Sequence, residues 1–205
     1  MQKHPLFNAK LLLLPFLLFT MTLCAQWQQL PGPPAGNVTC WASSPTGVLY
    51  VGGMDGIFTS IDAGRTWNKL PSNTLSRQIP LQLEWDNSNL FLSTRDRNTD
   101  DRILWKSSNN GTTWVKLWSD LCTDIGFLSL FDARNDTILA GSSPNNHLSI
   151  DGGQTWLIDL SVPCLRNVTG TKQGWFQSFY SGASRWIGGQ GWNQTYMASD
   201  ESAFP

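Results

Sequence analysis

The sequence of 205 residues carries 14 Lys and Arg against 15 Asp and Glu, a formal net charge of −1, and only 14% of its residues are charged. Without an excess of basic residues, the chain lacks the electrostatic surface on which nucleic-acid binding depends. Gly, Ser, Thr, Asn and Gln take the place of charged residues, together with 11 Trp. This mixture of turn formers and aromatic residues is typical of short strands joined by tight turns, so we expect an all-β protein.

The N-terminal segment predicts export. Lys3 and Lys10 give a basic start, and an apolar run covers residues 11–23. This order is typical of a secretory signal peptide, and the run is too short for a transmembrane helix. We expect cleavage after Ala25, in preference to lipid attachment at Cys24. The mature chain, without a membrane span, is then secreted, periplasmic or part of the cell envelope.

Three eight-residue segments fit the pattern Ser-x-Asp/Asn-x-Gly-x-Thr-Trp, at residues 60–67, 107–114 and 149–156, and we call them boxes 1, 2 and 3. Their starts are 47 and 42 residues apart, a period that suits repeats of four short strands. The Asp or Asn accepts backbone hydrogen bonds in a tight turn, the Gly supplies a positive φ, and the Trp buries a large ring between sheets. The structural positions of the boxes are Ser60, Asp62, Gly64, Thr66, Trp67, Ser107, Asn109, Gly111, Thr113, Trp114, Ser149, Asp151, Gly153, Thr155 and Trp156.

Runs of strand-forming residues precede each box and recur once more after box 3. The runs cover residues 38–44, 48–53, 57–62, 81–86, 90–95, 103–109, 127–132, 137–142, 147–151, 175–180, 184–189 and 195–200. Within a mature chain of residues 26–205 they predict four repeat units, at residues 38–70, 81–117, 127–160 and 174–205. Residues 27–30 copy the strand that follows boxes 1 and 2, so we expect them to close the last unit as an added strand.

The boxes resemble the Asp box, or bacterial neuraminidase repeat, of sialidase-like β-propellers. The resemblance implies blades of four antiparallel strands, with the box on the hairpin between the third and fourth strands. It favours the front part of a larger propeller over a compact ring of four blades. The superfamily includes sialidases, family-74 xyloglucan hydrolases, sortilin-type receptors and photosystem II assembly propellers, so the fold does not select a function.

Hydrolase chemistry finds little support in the sequence. Residues 77–80 read Arg-Gln-Ile-Pro, which departs from the Phe/Tyr-Arg-Ile-Pro motif of sialidases by an inserted residue and by the missing aromatic. Glycoside hydrolysis needs two carboxyl groups that flank a cleft. No spacing singles out such a pair among the candidates Asp86, Asp96, Asp100, Asp101, Asp120, Asp124 and Asp132.

The polar segment 95–102 is a candidate ligand-binding loop between the second and third strands of the second unit. Its candidate residues are Arg95, Asp96, Arg97, Asp100 and Asp101. The alternation of Asp96, Asn98 and Asp100 matches the opening of a calcium loop, but Asp101 stands where that loop requires Gly. The alternative that we favour is a cluster of exposed charged side chains that form ion pairs with one another.

Aromatic and sulfur-containing side chains complete the candidate set. Trp118, Trp175 and Trp192 lie outside the boxes and are candidates for stacking on a ligand, with packing between blades as the alternative. The disulfide state of the mature cysteines stays open, and His147 is the one histidine beyond the signal segment, which argues against a zinc site. These cysteines are Cys40, Cys122 and Cys164.

We therefore expect a secreted, non-catalytic propeller that acts as a scaffold or recognition module for a glycan or an extracellular protein, without a cofactor. Two alternatives stay open. One is a sialidase-like or xyloglucanase-like glycoside hydrolase with an incomplete active site, and the other is an assembly factor similar to the photosystem II helper propellers. The sequence does not indicate an oligomeric state.

Overall fold

The computed structural model describes residues 29–34, 36–71, 73–119, 131–141, 146–159, 166–171, 174–179, 182–186 and 192–196. The strands in these ranges are β1 (Val38–Ser43), β2 (Leu49–Gly53), β3 (Gly56–Ser60), β4 (Asn68–Lys69), β5 (Gln78–Asp86), β6 (Asn89–Asp96), β7 (Arg102–Ser107), β8 (Val115–Ser119), β9 (Phe131–Arg134), β10 (Thr137–Gly141), β11 (Asn146–Ser149), β12 (Leu157–Asp159), β13 (Arg166–Thr171), β14 (Gly174–Phe179), β15 (Gly182–Trp186) and β16 (Trp192–Tyr196). Within the described ranges no helix has the length and apolarity needed to cross a bilayer. The expected signal segment and residues 27–28 of the expected closing strand lie outside these ranges, so both stay predictions. Residues 29–30 belong to no strand, and β13–β16 form a four-stranded sheet that begins at Arg166, earlier than the start at residue 174 expected for the last unit.

Each set of four consecutive strands forms one antiparallel sheet in chain order: sheet 1 (β1–β4), sheet 2 (β5–β8), sheet 3 (β9–β12) and sheet 4 (β13–β16). The first strands of successive sheets lie beside one another, β1 by β5, β5 by β9 and β9 by β13. Meandering four-stranded sheets that meet along their first strands form a β-propeller, so the predicted fold class is confirmed.

Two apolar layers separate the first three sheets. Sheets 1 and 2 enclose a buried cluster that includes Tyr50, Leu92 and Trp105. Sheets 2 and 3 enclose a second cluster that includes Phe91 and Phe131. Because side chains alternate along a strand, β6 supplies Leu92 to one layer and Phe91 to the other. The hydrophobic effect acting on these two layers holds the sheets face to face.

The boxes form the hairpins between the third and fourth strands of sheets 1 to 3, and the Asp or Asn of each box accepts a backbone hydrogen bond, from the N–H group four residues on. In box 1 the Ser60 hydroxyl donates to Asp62 Oδ1 at 2.8 Å and accepts from the Gly64 N–H at 2.8 Å. The Thr66 N–H donates to Asp62 Oδ1 at 2.9 Å, and the Thr66 hydroxyl donates to Asp62 Oδ2 at 2.6 Å. Box 3 repeats this set of bonds at residues 149–155.

The glycine of a box also makes room for the preceding sheet. Gly111 has a φ of +83°, and a Cβ atom at this position would lie 2.6 Å from Leu70 Cδ1 of sheet 1. Gly153 has a φ of +92°, and a Cβ atom there would lie 2.7 Å from Leu117 Cδ1 of sheet 2. In each case the leucine is the third residue after a box Trp. The repeat therefore encodes a sheet-to-sheet contact as well as a turn.

The three box tryptophans differ in burial, although the sequence predicts the same role for each. Trp114 is only 6% exposed. Trp67 and Trp156 are partly exposed, and Trp67 Nε1 donates to the carbonyl of Pro31 at 3.2 Å. Among the cysteines, Cys40 is a buried free thiol on β1, and burial raises its pKa to about 11. Cys122 and Cys164 lie outside the described residues.

Candidate functional site

The loop between β6 and β7 contains the five charged candidates, and its first carboxylate is already used as an internal acceptor. Asp96 is buried, and its Oδ1 accepts the backbone N–H groups of Asn98 at 2.9 Å and Thr99 at 3.4 Å. Its Oδ2 accepts Gln78 Nε2 at 2.7 Å. The Asn98 hydrogen bond is the main cause that lowers the Asp96 pKa. Asp96 therefore shapes the loop and stabilises its turn.

Two further charges of this loop, Arg95 and Asp100, pair with each other, which supports in part the alternative favoured from the sequence. Arg95 Nη1 and Asp100 Oδ1 form an ion pair at 3.0 Å. The Thr99 hydroxyl donates to Asp101 Oδ2 at 2.6 Å. Among the described residues no group of three His, Cys, Asp or Glu side chains has a metal-binding arrangement. Hydrogen bonds and an ion pair within this part of the protein already involve the Asp96 and Asp100 oxygens, and the calcium alternative stays open.

Arg97 is the loop candidate that lines a groove, which we call groove 1. The groove has a volume of about 620 Å³ and lies between sheets 1 and 2 at the end of the strands that carries the β2–β3 and β6–β7 turns. The Arg97 guanidinium donates to the carbonyl of Met54, and the Arg97 N–H donates to the carbonyl of Arg77 at 3.0 Å. The lining includes Met54, Asp55, Lys69, Leu75, Arg97 and Trp114.

The lining of groove 1 combines an apolar floor with exposed charges. Leu75 and Trp114 are buried members of the apolar layer between sheets 1 and 2. Lys69 and Arg97 are exposed, and neither has a carboxylate within ion-pair distance among the described residues. Asp55 adds one exposed carboxyl group. Sequence reasoning missed Lys69 and Leu75 because no motif marks them; only the stacking of the two sheets brings them together with Arg97.

Two of the three candidate tryptophans are packing residues. The Trp118 ring lies 4.2 Å from the His147 ring and 5.6 Å from the Trp156 ring, between sheets 2 and 3. Trp175 is 7% exposed, and its Nε1 donates to Asp132 Oδ1 at 2.8 Å. The strand register turns both rings toward a neighbouring sheet, which supports packing, the alternative named from the sequence. The side chain of Trp192 lies outside the described residues.

A carboxyl group that sequence reasoning did not single out lies between the first strands of sheets 2 and 3. Glu84 Oε2 accepts the Ala133 N–H at 2.9 Å, and Glu84 Oε1 accepts Gln82 Nε2 at 2.5 Å. Gln82 Nε2 also donates to the carbonyl of Phe131 at 2.7 Å. Two side chains of β5 thereby form hydrogen bonds with the backbone of β9.

Burial gives Glu84 an unusual protonation equilibrium. Desolvation is the main cause that raises its pKa to about 8, and the nearby Asp132 carboxylate raises it further. The Ala133 and Gln82 hydrogen bonds and the charge of Arg134 act in the opposite direction. Neither Glu84 nor Asp132 lines groove 1. This pair of carboxyl groups therefore belongs to the contact between β5 and β9.

Comparison with known proteins supports the fold. No family model matches the sequence, and no curated protein matches it. The structure of YCF48 from Cyanidioschyzon merolae superposes with a TM-score of 0.60 at 13% identity, covering 86% of this chain and 61% of that chain. A structure of YCF48 bound to D1 peptide gives a TM-score of 0.56 at 16% identity, covering 82% of this chain and 57% of that one.

An ancestral GH74 enzyme gives a TM-score of 0.58 at 14% identity, covering 82% of this chain and 27% of the enzyme. The chain thus spans about three fifths of the YCF48 chains and about a quarter of this GH74 enzyme. At such low identity these likenesses show the β-propeller fold alone.

Proposed function

We propose that this propeller is an exported, non-catalytic recognition module that binds a polypeptide segment in groove 1. The observation that carries the proposal is the lining of that groove, in which an apolar floor lies beside two cationic side chains that form no ion pair with a described residue. Its volume of about 620 Å³ is within the range of ligand sites in proteins. The structure of YCF48 with a D1 peptide supports it by showing that a protein of this fold binds a peptide.

The chemistry of the lining suits a peptide. Met54 is exposed at the rim, and its flexible thioether side chain adapts to apolar side chains of different shape. Arg97 presents a planar guanidinium that binds carboxylates and backbone carbonyls with directional hydrogen bonds. Lys69 and Asp55 place charges of both signs at the same groove. A peptide offers matching groups at regular spacing along its chain.

The hydrolase alternative needs a different lining. Glycoside hydrolysis requires two carboxyl groups on either side of the scissile bond. Among the described residues that line groove 1, Asp55 supplies the one carboxyl group, and it is exposed. A single carboxyl group does not supply the pair that hydrolysis requires. The lining of groove 1 therefore favours binding over hydrolysis.

Peptide display tests the proposal. Random peptides are selected on the purified protein, and the enriched sequences are measured against Arg97→Glu and Lys69→Glu. We expect at least tenfold weaker binding to both variants, and unchanged binding to Lys116→Glu, an exposed lysine on β8 with the same charge change. Two results would contradict the proposal. One is enrichment no greater than on a bare support, and the other is peptides that bind the wild type and all three variants equally.

Export is tested separately. The secreted or periplasmic fraction of a producing cell is collected, and the protein is sequenced from its N-terminus. We expect Gln26 as the first residue. A protein that begins at Met1, or that carries a lipid on Cys24, would contradict cleavage after Ala25.

A further inference from the structure

A second groove, groove 2, lies between sheets 1 and 2 at the opposite end of their strands. It has a volume of about 490 Å³ and is formed by the β1–β2 turn, the β5–β6 turn and boxes 1 and 2. In a meandering sheet these turns lie at the end away from the β2–β3 and β6–β7 turns that form groove 1. The two grooves share Leu70 in their linings, and their other lining residues differ.

The lining of groove 2 carries no charged side chain. Its rim has exposed hydroxyl and amide groups, and Ile61 is 80% exposed beside them. Its inner wall includes Tyr50 and Trp85, whose rings stack with centroids 5.6 Å apart and planes 19° apart. The polar rim residues are Thr46, Ser88, Asn110 and Thr112. This combination favours an uncharged ligand with many hydroxyl groups and an apolar face.

Two polar atoms of the inner wall have no hydrogen-bond partner among the described residues. Tyr50 is 2% exposed and lines groove 2, yet its hydroxyl neither donates to nor accepts from any described residue. Burial raises the Tyr50 pKa, so the hydroxyl keeps its proton and can act as a donor. Trp85 is partly buried, and its Nε1 likewise has no acceptor in the described part of the chain. A donor at the wall of a groove that bonds to no described residue is available to a ligand.

We propose that groove 2 binds a neutral saccharide. A sugar ring has an apolar C–H face that packs on Ile61 and Trp85, and its hydroxyl and ring oxygens accept hydrogen bonds from Tyr50 and Trp85. The rim adds hydrogen-bond donors and acceptors but no charged group, which suits an uncharged ligand. The residues proposed to contact the saccharide line groove 2 and not groove 1, so variants of Ile61 and Arg97 test the two grooves separately.

The first experiment is a screen of the purified protein on an array of neutral oligosaccharides, followed by titration calorimetry with the strongest binder. Two variants locate the site. Ile61→Arg places a bulky charge at the rim, and we expect binding to be lost. Ile150→Arg makes the same change at the equivalent position of box 3, which is 63% exposed, and we expect binding to be unchanged.

Tyr50→Phe provides the sharpest variant. It removes a hydroxyl that bonds to no described residue but keeps the ring stacked on Trp85. We expect saccharide binding to weaken about tenfold while the denaturation midpoint does not fall, since one hydrogen bond to the ligand is lost and none within the described part of the protein. A structural role alone would lower the midpoint instead.

Three results would overturn the proposal. The first is the absence of any array signal above background for the wild-type protein. The second is a saccharide that binds Ile61→Arg and Tyr50→Phe as tightly as the wild type. The third is a peptide from the display selection that binds at groove 2, shown by loss of binding in Ile61→Arg but not in Arg97→Glu. Loss of peptide binding in Arg97→Glu alone concerns groove 1 and leaves this proposal intact.

Discussion

Replacing Glu84 with Gln should remove a strong pH dependence of stability. The folded protein holds the Glu84 proton up to a pKa of about 8, whereas the unfolded chain releases it near the ordinary value of 4.5. Between these values the folded state binds more protons than the unfolded state, so stability falls as pH rises. The slope is about 1.4 kcal/mol per pH unit, or roughly 5 kcal/mol over the whole window.

The glutamine in Glu84→Gln does not titrate. The free energy of unfolding of this variant should therefore change less with pH over this window than that of the wild type. A Gln side chain presents one acceptor where Glu84 uses two, for Ala133 N–H and Gln82 Nε2, which costs about 1 kcal/mol at every pH. The wild type should therefore be more stable at pH 4.5, and the variant more stable above about pH 6.

Urea denaturation of both proteins at half-unit steps from pH 4.5 to 8.5 measures this difference. Asp55→Asn is the control, because it removes one negative charge at an exposed turn of sheet 1. A difference between wild type and Glu84→Gln that does not change with pH would refute the reasoning. It would mean that Glu84 is ionised in the folded protein over the whole range.

Three further predictions concern the boxes. Trp114→Ala should cost about 3–5 kcal/mol in urea denaturation, and Trp67→Ala less, because the Trp67 ring is partly exposed; equal losses would contradict this order. Gly111→Ala should cost roughly 2–5 kcal/mol, from its positive φ and the clash with Leu70, and a double-mutant cycle with Leu70→Ala should show favourable coupling. Hydrogen bonds from Thr155 lower the Asp151 pKa to about 2, so the stability it contributes is lost as pH falls from about 4 to 2. Asp151→Asn should reduce the loss of stability in this acidic range, measured by urea denaturation at a series of pH values. The same loss in the variant and the wild type would contradict the role of Asp151.

The sequence by itself determined the local features of this protein. Each box is a turn in which partners lie two to four residues apart, such as Ser60, Asp62 and Thr66, so residue types at fixed spacing are sufficient to predict it. The repeat of these turns every 42 to 47 residues, together with the runs of strand-forming residues between them, indicates four-stranded units and an all-β fold. The self-paired charges of the β6–β7 loop are likewise close in sequence, as Arg95 and Asp100 show.

Only the tertiary structure decided which side chains meet between sheets. Gln82 bonds to Phe131, 49 residues away, and Trp175 bonds to Asp132, 43 residues away. Such contacts depend on strand register and on the radial stacking of the sheets, because a shift of one residue turns a side chain to the other face. Sequence spacing therefore marked Trp118 and Trp175 as binding candidates although packing covers them. The same stacking creates both grooves and places the Tyr50 hydroxyl where no described side chain meets it.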